Sequence, residues 1–283
     1  MSPILSLVCY NSGKKESDSM RFLLLILSIY FSAIAGVVSQ PIVSVDKDSA
    51  TIKIDSIDVG MSGFIVKHID KEHSYILNSA VVSKFDKESK TATLSLGKYT
   101  ETQQDYLPSG KWKVQVGDEA VLAFGYSRAF LVAPSEDIYY RVTKALPTLD
   151  WVHPDIFASI ISMNGHPTPL KKDFEQICDV SAVGLLYFYI NQSLMTVDCK
   201  SMALLQISPA PLKQESTQLP FYSRIKDINA NWFGEGSSKL KVYDPYYYEL
   251  LIKSNPKNKE LYNLIKDQNM TKLLDKFDIK DGK

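Results

Sequence analysis

The sequence carries no net charge, few cysteines and no repeats or low-complexity segments. Its 32 basic residues balance its 32 acidic residues, and 45% of its 283 residues are hydrophobic. The missing basic surplus argues against a nucleic-acid partner, and the apolar content argues against a disordered chain. Because domains span about 100 to 200 residues, the length predicts one or two domains whose cores are stable without cross-links.

Catalytic motifs are also missing from the sequence. It contains no G-x-S-x-G, no H-E-x-x-H, no phosphate-binding loop and no C-x-x-C. His68 and His73 flank a turn and could face each other across a hairpin, but two histidines without a further ligand are more typical of a hairpin surface than of a metal site. The sequence therefore predicts a protein that is not an enzyme, with no cofactor and no metal site.

An apolar segment near the N-terminus predicts export from the cytosol. Phe22–Phe31 reads FLLLILSIYF, and an A-x-A cleavage site follows at Ala33 and Ala35. This is the form of a secretory signal, so residues 1–35 are predicted to be an upstream segment and a signal peptide. The alternative is a retained anchor, because the uncharged stretch approaches the roughly 17 to 25 residues that span a bilayer. The expected location is the periplasm, the outer membrane or the cell surface, with membrane contact only through an uncleaved leader.

Two cysteines remain after the leader, and their spacing favours a disulfide. Cys178 and Cys199 have 20 residues between them, and cysteines of an exported chain usually pair. Val183–Ile190 and Leu194–Val197 read as a hairpin, whose register places Cys199 near Gly184. A redox site would want the cysteines two residues apart, and a metal site would want more ligands nearby; both stay open as weaker alternatives.

The remaining chain divides into three regions that differ in hydrophobic pattern and composition, and together they predict an α+β fold. Residues 43–125 are β-rich, with short alternating strands and tight turns, and predict an antiparallel β-barrel or sandwich that hides its strand edges. Residues 129–211 alternate strands with helices and predict an α/β layer. Residues 219–283 predict a lysine-rich helical C-terminal region. The run Tyr246–Tyr248 within it predicts packing of the last helices onto the body rather than a ligand site.

Two helices of the α/β layer have local start signals. Ser135 is an N-cap candidate for the first helix, and Pro154 opens the second, with Gly165 past its end. His153 and His166 bracket the second helix and are interpreted as a capping residue and a loop residue. The residues of this helix that are expected to face inward are Ile156, Phe157, Ile160 and Ile161.

Four ordered segments carry a resemblance to a known family. They are VGMSGFIV (Val59–Val66), FLVAP (Phe130–Pro134), CDVSAVGLLY (Cys178–Tyr187) and LPFYSRIKDI (Leu219–Ile228). Together they resemble the N-terminal domain of the bacterial plasminogen-binding protein family, PgbA and PgbB. The resemblance implies an exported envelope or surface protein that captures host plasminogen, and the paired cysteines fit its pattern. Family members carry a long Lys- and Glu-rich extension after this domain, and the present sequence ends almost where that extension would begin.

The chemistry of plasminogen capture indicates which residues could carry it. A kringle lysine-binding site holds an ammonium with acidic residues, a carboxylate with basic residues and a methylene stem in an aromatic trough. Lys283, the last residue of the sequence, presents both charges, and Lys280 lies nearby. These two lysines are the predicted plasminogen-binding residues. The alternative function is a structural or scaffolding component of the bacterial cell envelope that contacts another envelope protein without binding plasminogen.

Overall fold

A closed six-stranded β-barrel forms the first part of the structure. The computed structural model describes residues 36–99 and 112–279. Around the barrel the strands follow the order β1-β2-β5-β4-β3-β6, and all neighbouring pairs are antiparallel. The strands are β1 (Val38–Asp46), β2 (Ser49–Lys53), β3 (Ser62–His68), β4 (Ser74–Asp86), β5 (Thr91–Lys98) and β6 (Glu119–Leu122).

Alternate residues of these strands fill the barrel interior. In β2, Ala50 and Ile52 are buried while Lys53 is exposed. Ala50 lies opposite Leu94 of β5, and Ile52 lies opposite Ala92, so four buried side chains face one another across the pair. This period of two is the pattern from which the barrel was predicted, and the prediction is confirmed.

Strand β1 begins five residues before the predicted β-rich region, which starts at residue 43, and it closes the barrel. It pairs with β2 on one side and with β6 on the other. Ile42 is the one fully buried residue among the nine of this strand, and Pro41 lies beside it. The alternation of apolar residues is therefore weak in β1, which is why the sequence pattern did not reveal it.

A second sheet of five strands follows the barrel within the same compact unit, residues 37–283. Its order is β11-β10-β9-β7-β8, with β7 parallel to both β8 and β9 and the other pairs antiparallel. Helices cross between the parallel strands, so this layer has the predicted α/β character, and the α+β fold is confirmed. The strands are β7 (Arg128–Val132), β8 (Asp150–Val152), β9 (Leu185–Ile190), β10 (Ser193–Asp198) and β11 (Leu204–Pro209).

The first two helices of this layer begin and end at local capping residues. Helix α1 (Glu136–Ala145) has its N-cap at Ser135, whose hydroxyl accepts the backbone N–H of Ile138. Helix α2 (Pro154–Asn164) begins at a proline and ends at Gly165, which adopts the left-handed conformation with φ of +69°. Both helices were predicted from these signals, and both predictions are confirmed.

One residue of α2 does not face the direction that was predicted. Ile156 was expected to face inward, but it is 44% exposed. Phe157, Ile160 and Ile161 are buried instead, and they define the face that packs on the sheet. Ile156 precedes this face by about 100° of helical rotation, so its side chain lies at the solvent edge.

Helix α3 (Lys171–Val180) was not predicted, and it carries the first cysteine of the pair. Its buried residues include Phe174, Ile177 and Cys178, the spacing of one helical face. The N-cap position is occupied by Leu170 rather than by a Ser, Thr, Asp or Asn. The carboxylate of Asp173 accepts the Leu170 N–H instead, at 2.6 Å. The usual start signal is therefore displaced by three residues.

The C-terminal region packs three short helices onto the second sheet. They are α4 (Tyr243–Ser254), α5 (Lys259–Asp267) and a 3₁₀ helix (Thr271–Lys276). Tyr247 and Tyr248 are fully buried in the main core, so the prediction that the tyrosine run packs these helices onto the body is confirmed. The last element is 3₁₀ rather than α-helical, and its buried residue is Leu273.

The buried tyrosines make the fold sensitive to high pH. Burial raises the pKa of Tyr187 to about 12 and that of Tyr248 to about 12, against about 10 in the unfolded chain. Their stabilising effect is therefore complete below pH 10 and is lost as the pH rises toward 12. Within that window each of these tyrosines lowers the free energy of unfolding by about 1.4 kcal/mol for every unit that the pH rises. We expect tyrosinate absorbance and far-UV circular dichroism to change together in a pH titration; ionisation of all tyrosines near pH 10 with the fold retained would contradict this.

Candidate functional site

A buried carboxylate joins the barrel to the second sheet. Asp198, at the end of β10, is fully buried. One of its oxygens accepts three hydrogen bonds, from the backbone N–H and hydroxyl of Ser62 and from the hydroxyl of Tyr126, at 2.7 to 2.9 Å. The other accepts the backbone N–H groups of Lys200 and Ser201. Five donors thus satisfy one charge, and Ser62 on β3 is tied directly to the second sheet.

The phenol of Tyr126 remains protonated in this junction over the ordinary pH range. Burial, followed by the adjacent Asp198 carboxylate, raises the pKa of Tyr126 far above its usual value. Its hydroxyl therefore acts as a donor to Asp198 rather than as an acid. Because a lost carboxylate would leave these donors buried without partners, the junction depends on Asp198 for its stability.

A disulfide lies beside the same junction. It joins Cys178 on α3 to Cys199, which follows β10, with a Cα–Cα distance of 5.8 Å. Both cysteines are buried. The backbone N–H of Cys199 donates to the carbonyl of Gly184 at 3.0 Å, which is the register that the predicted hairpin required. The bond therefore ties helix α3 to the sheet on which it packs.

A cleft of about 420 Å³ opens next to this disulfide, between the barrel and the second sheet. Phe64 and Phe124 line it with their ring centroids 5.0 Å apart, and Phe124 is 61% exposed. Glu175 and Asp179 of α3 also line it. Lys98 and Lys200 line it as well, and Lys200 is paired with Asp179. The cleft therefore offers an aromatic wall and charges of both signs to a partner, and nothing in the sequence pattern placed these residues together.

The lysine-rich C-terminal helices present their cations to solvent. Buried Leu261, Ile265 and Leu273 fix the inner face of α5 and the 3₁₀ helix against the core. Lys259 and Lys266 fall on the opposite face of α5, and every lysine between residues 253 and 276 is exposed. We call this set the lysine face; its members are Lys253, Lys257, Lys259, Lys266, Lys272 and Lys276.

Three members of the lysine face are held in ion pairs. The Nζ atom of Lys276 lies 2.7 Å from a carboxylate oxygen of Glu249, and that of Lys253 lies 3.8 Å from it. Hydrogen bonding by Lys276 is the main reason that the pKa of Glu249 is lowered. Lys257 lies 3.8 Å from Asp278. These contacts hold three of the ammonium groups against the protein surface.

The other three lysines have no ion pair within the part of the chain that the structure describes. They are Lys259, Lys266 and Lys272, and each is exposed. An unpaired ammonium on a long apolar stem is the portion of lysine that a kringle trough accepts. The structure thus separates lysines available to a ligand from lysines already engaged, a distinction that sequence alone could not make.

The predicted site residues at the two ends of the chain lie outside the described residues. These are Ala33 and Ala35 of the leader, and Lys280 and Lys283 of the C-terminal segment. The described chain is anchored close to the latter. The backbone N–H of Asp278 donates to the Pro256 carbonyl at 2.8 Å.

The histidines that could suggest a metal site have other partners. His68 contacts Ser74 and Glu119, and His73 contacts Asp70. His153 caps α2 and His166 lies in the loop after it, as expected, and the His166 side chain is buried. Within residues 36–99 and 112–279, no cluster of three metal-ligating side chains occurs. No helix in these same ranges is long and apolar enough to span a membrane.

A known sequence family covers most of this chain. A closed barrel tied by a buried carboxylate to a five-stranded mixed sheet is an α+β domain with a lysine-rich helical end. A family profile described as "Plasminogen-binding protein pgbA N-terminal" matches residues 37–251. The chain therefore belongs to this family, and the resemblance drawn from the sequence is confirmed. The match ends within α4, before Lys253 and every other member of the lysine face.

Two curated relatives carry the same name. Both are plasminogen-binding protein PgbA of Helicobacter pylori, one from strain J99 and one from strain 26695, and each is 26% identical to this chain over 225 residues. The alignments cover 78% of this chain and 48% of each relative, so the chain spans about half the length of these relatives. No solved structure gives a significant match.

Proposed function

We propose that this protein is exported to the bacterial envelope and binds host plasminogen there, through exposed lysines of its C-terminal region that enter kringle lysine-binding sites. Family membership supports plasminogen as the ligand. The lysine face supports the mode of binding, because three of its ammonium groups are exposed and unpaired among the described residues. The disulfide and the apolar leader support export, since disulfides persist mainly in oxidising compartments.

Two kinds of lysine could contribute to this binding. The first kind is Lys280 and Lys283, the residues predicted from the sequence. The second kind is Lys259, Lys266 and Lys272, each of which would offer an ammonium group; the exposed acids Glu260 and Asp267 beside the first two would supply a carboxylate. The role is that of a binding protein, and no catalytic step is proposed.

Substitution of the unpaired lysines tests this mode. We expect Lys259→Gln, Lys266→Gln and Lys272→Gln combined with deletion of Lys283 to weaken plasminogen binding about ten-fold or more, since charge-assisted contacts to buried sites each contribute about 1.5 to 3 kcal/mol. Surface plasmon resonance on immobilised plasminogen measures the change. The triple substitution and the Lys283 deletion, each measured alone, show whether the helical lysines or the C-terminal lysine bind plasminogen.

The matched control replaces lysines that are already paired. Lys253→Gln, Lys257→Gln and Lys276→Gln together remove three charges, as many as the triple test variant and also from the C-terminal region, but these ammonium groups are ion-paired with Glu249 or Asp278. We expect this control to bind plasminogen nearly as tightly as the wild type. Equal losses in the control and in the test variant would mean that general charge, and not a lysine-specific contact, holds plasminogen.

A second candidate function has support from the junction cleft. The family match ends before the lysine face, whereas it includes Phe64, Phe124 and the acids of α3 that line the cleft. A shared domain with an exposed aromatic wall suits a structural component of the envelope that contacts another envelope protein. Protease treatment of intact cells separates the two functions. Cleavage without breaking the outer membrane favours plasminogen capture, and protection until it is broken favours the structural role.

A further inference from the structure

Two aromatic side chains project from the loop between the second sheet and α4. Trp232 is fully exposed and Phe233 is 87% exposed. We call this pair the aromatic tip. Met163, at the last turn of α2, is 85% exposed beside the base of the same loop. Adjacent large apolar side chains in water are unfavourable, so a cluster of this kind marks a contact surface.

The base of the loop is firmly held, so the exposure of the tip is built into the fold. The backbone N–H of Asn231 donates to the Gly165 carbonyl at 3.0 Å, and its side-chain amide donates to the Asn164 carbonyl at 2.8 Å. On the other side, the Thr168 N–H donates to the Gly236 carbonyl at 3.1 Å. Ile228 and Leu240, which flank the tip in the sequence, pack against the core.

A polar pocket of about 390 Å³ adjoins the base of the aromatic tip, lined by Asn164, His166, Lys172, Gln176 and Asn231. His166 is 6% exposed, and its Nδ1 atom lies 2.8 Å from the fully buried carboxylate of Asp173. Its Nε2 atom has no hydrogen-bond partner among the described residues. The oriented imidazole, the Lys172 ammonium and the Gln176 amide therefore leave polar atoms available to a ligand.

The charge around the tip is positive. Three exposed lysines of the same segment, Lys226, Lys239 and Lys241, make no ion pair within the described parts of the chain, and neither does Lys172, which lines the adjoining pocket. Two exposed acids, Asp227 and Glu235, lie in the same segment. The excess of cations over anions suits a negatively charged ligand surface.

We propose that this face docks on an anionic lipid bilayer. Trp232 and Phe233 enter the interfacial region, where aromatic rings are favoured, and the lysines and the His166 pocket meet lipid phosphates. The shape of the face favours a bilayer over a protein partner, because the tip projects outward and a bilayer accepts projecting side chains without a preformed pocket. This contact is additional to the leader, which was the membrane contact predicted from the sequence, and it does not depend on plasminogen binding.

Vesicle flotation of residues 37–283 tests the proposal, because this compact unit lacks the apolar leader. We expect it to float with vesicles that mix phosphatidylglycerol with phosphatidylcholine, and to do so much less with pure phosphatidylcholine. Trp232→Ser with Phe233→Ser should lower the bound fraction about ten-fold, since each ring buries roughly 150 to 250 Å² when it leaves water. The matched control, Ile69→Ser with Val180→Ser, removes two exposed apolar residues elsewhere and should bind normally.

Lysine substitutions test the electrostatic part of the proposed membrane contact. Lys172→Gln with Lys239→Gln should weaken binding to the anionic vesicles and leave the residual binding to neutral vesicles unchanged. Unchanged thermal unfolding in every variant shows that the fold is intact. Equal flotation of the wild type and the aromatic variant would overturn the proposal. So would failure of the wild type to float; if it instead forms dimers that the aromatic variant does not form, the face is a protein interface.

Discussion

Replacement of Asp198 by asparagine should remove about 4 kcal/mol of the free energy of unfolding. The side chain keeps its volume, but one of its two oxygens becomes an NH₂ group that cannot accept. The carboxylate is fully buried, and its oxygens accept three and two hydrogen bonds respectively. At least two of these buried or part-buried donors would then lack a partner, at about 1 to 3 kcal/mol each, in a protein whose total stability is about 5 to 15 kcal/mol.

Urea unfolding followed by circular dichroism measures this loss. Asp179→Asn is the matched control, because Asp179 is an exposed carboxylate whose contact is an ion pair with Lys200, and such pairs contribute at most about 1 kcal/mol. We expect the midpoint to fall strongly for Asp198→Asn and little for Asp179→Asn. A loss below about 1 kcal/mol at Asp198 would mean that the junction does not depend on this carboxylate.

Removal of the disulfide should destabilise the protein by about 3 kcal/mol. Cys178 and Cys199 are separated by 21 positions, and a loop of that length loses this much conformational freedom in the unfolded chain. For a chain of this size, Cys178→Ala with Cys199→Ala should lower the melting temperature by roughly 6 to 12 °C. Differential scanning calorimetry measures the shift.

Reductant supplies the control for this prediction. A thiol reductant should lower the melting temperature of the wild type toward that of the double variant and leave the variant itself unchanged. If the untreated, exported wild type reacts at both cysteines with an alkylating agent, or if reductant does not affect its stability, the bond does not form in the cell. The argument for export from the disulfide would then fail as well.

Local signals made much of the fold predictable. The Ser135 N-cap and the Pro154 start are encoded within a few neighbouring residues, and both helices begin where expected. The alternation of buried residues in β2 likewise required only local sequence. Helix α3 escaped prediction because its cap is made by Asp173, inside the helix, rather than by a residue before it.

The features that position the candidate sites depend on distant contacts. Asp198 meets Ser62 across 136 positions and Tyr126 across 72, so no local pattern indicates that this acid is buried. Asp198 is a charged residue that is buried, whereas Trp232 and Phe233 are aromatic residues that are exposed. Aromatic side chains are usually buried, so the sequence gives no sign of their exposure. The lysine-rich composition was visible in the sequence, but the division into paired and unpaired lysines required the positions of Glu249 and Asp278.

Competition with a free lysine analogue tests the proposed function most directly. Purified protein is immobilised, plasminogen is titrated over it, and the titration is repeated with saturating 6-aminohexanoic acid, whose ammonium, stem and carboxylate fill kringle lysine-binding sites. We expect saturable binding that the analogue abolishes. Plasminogen binding that persists in the analogue, or no saturable binding without it, would contradict lysine-mediated capture.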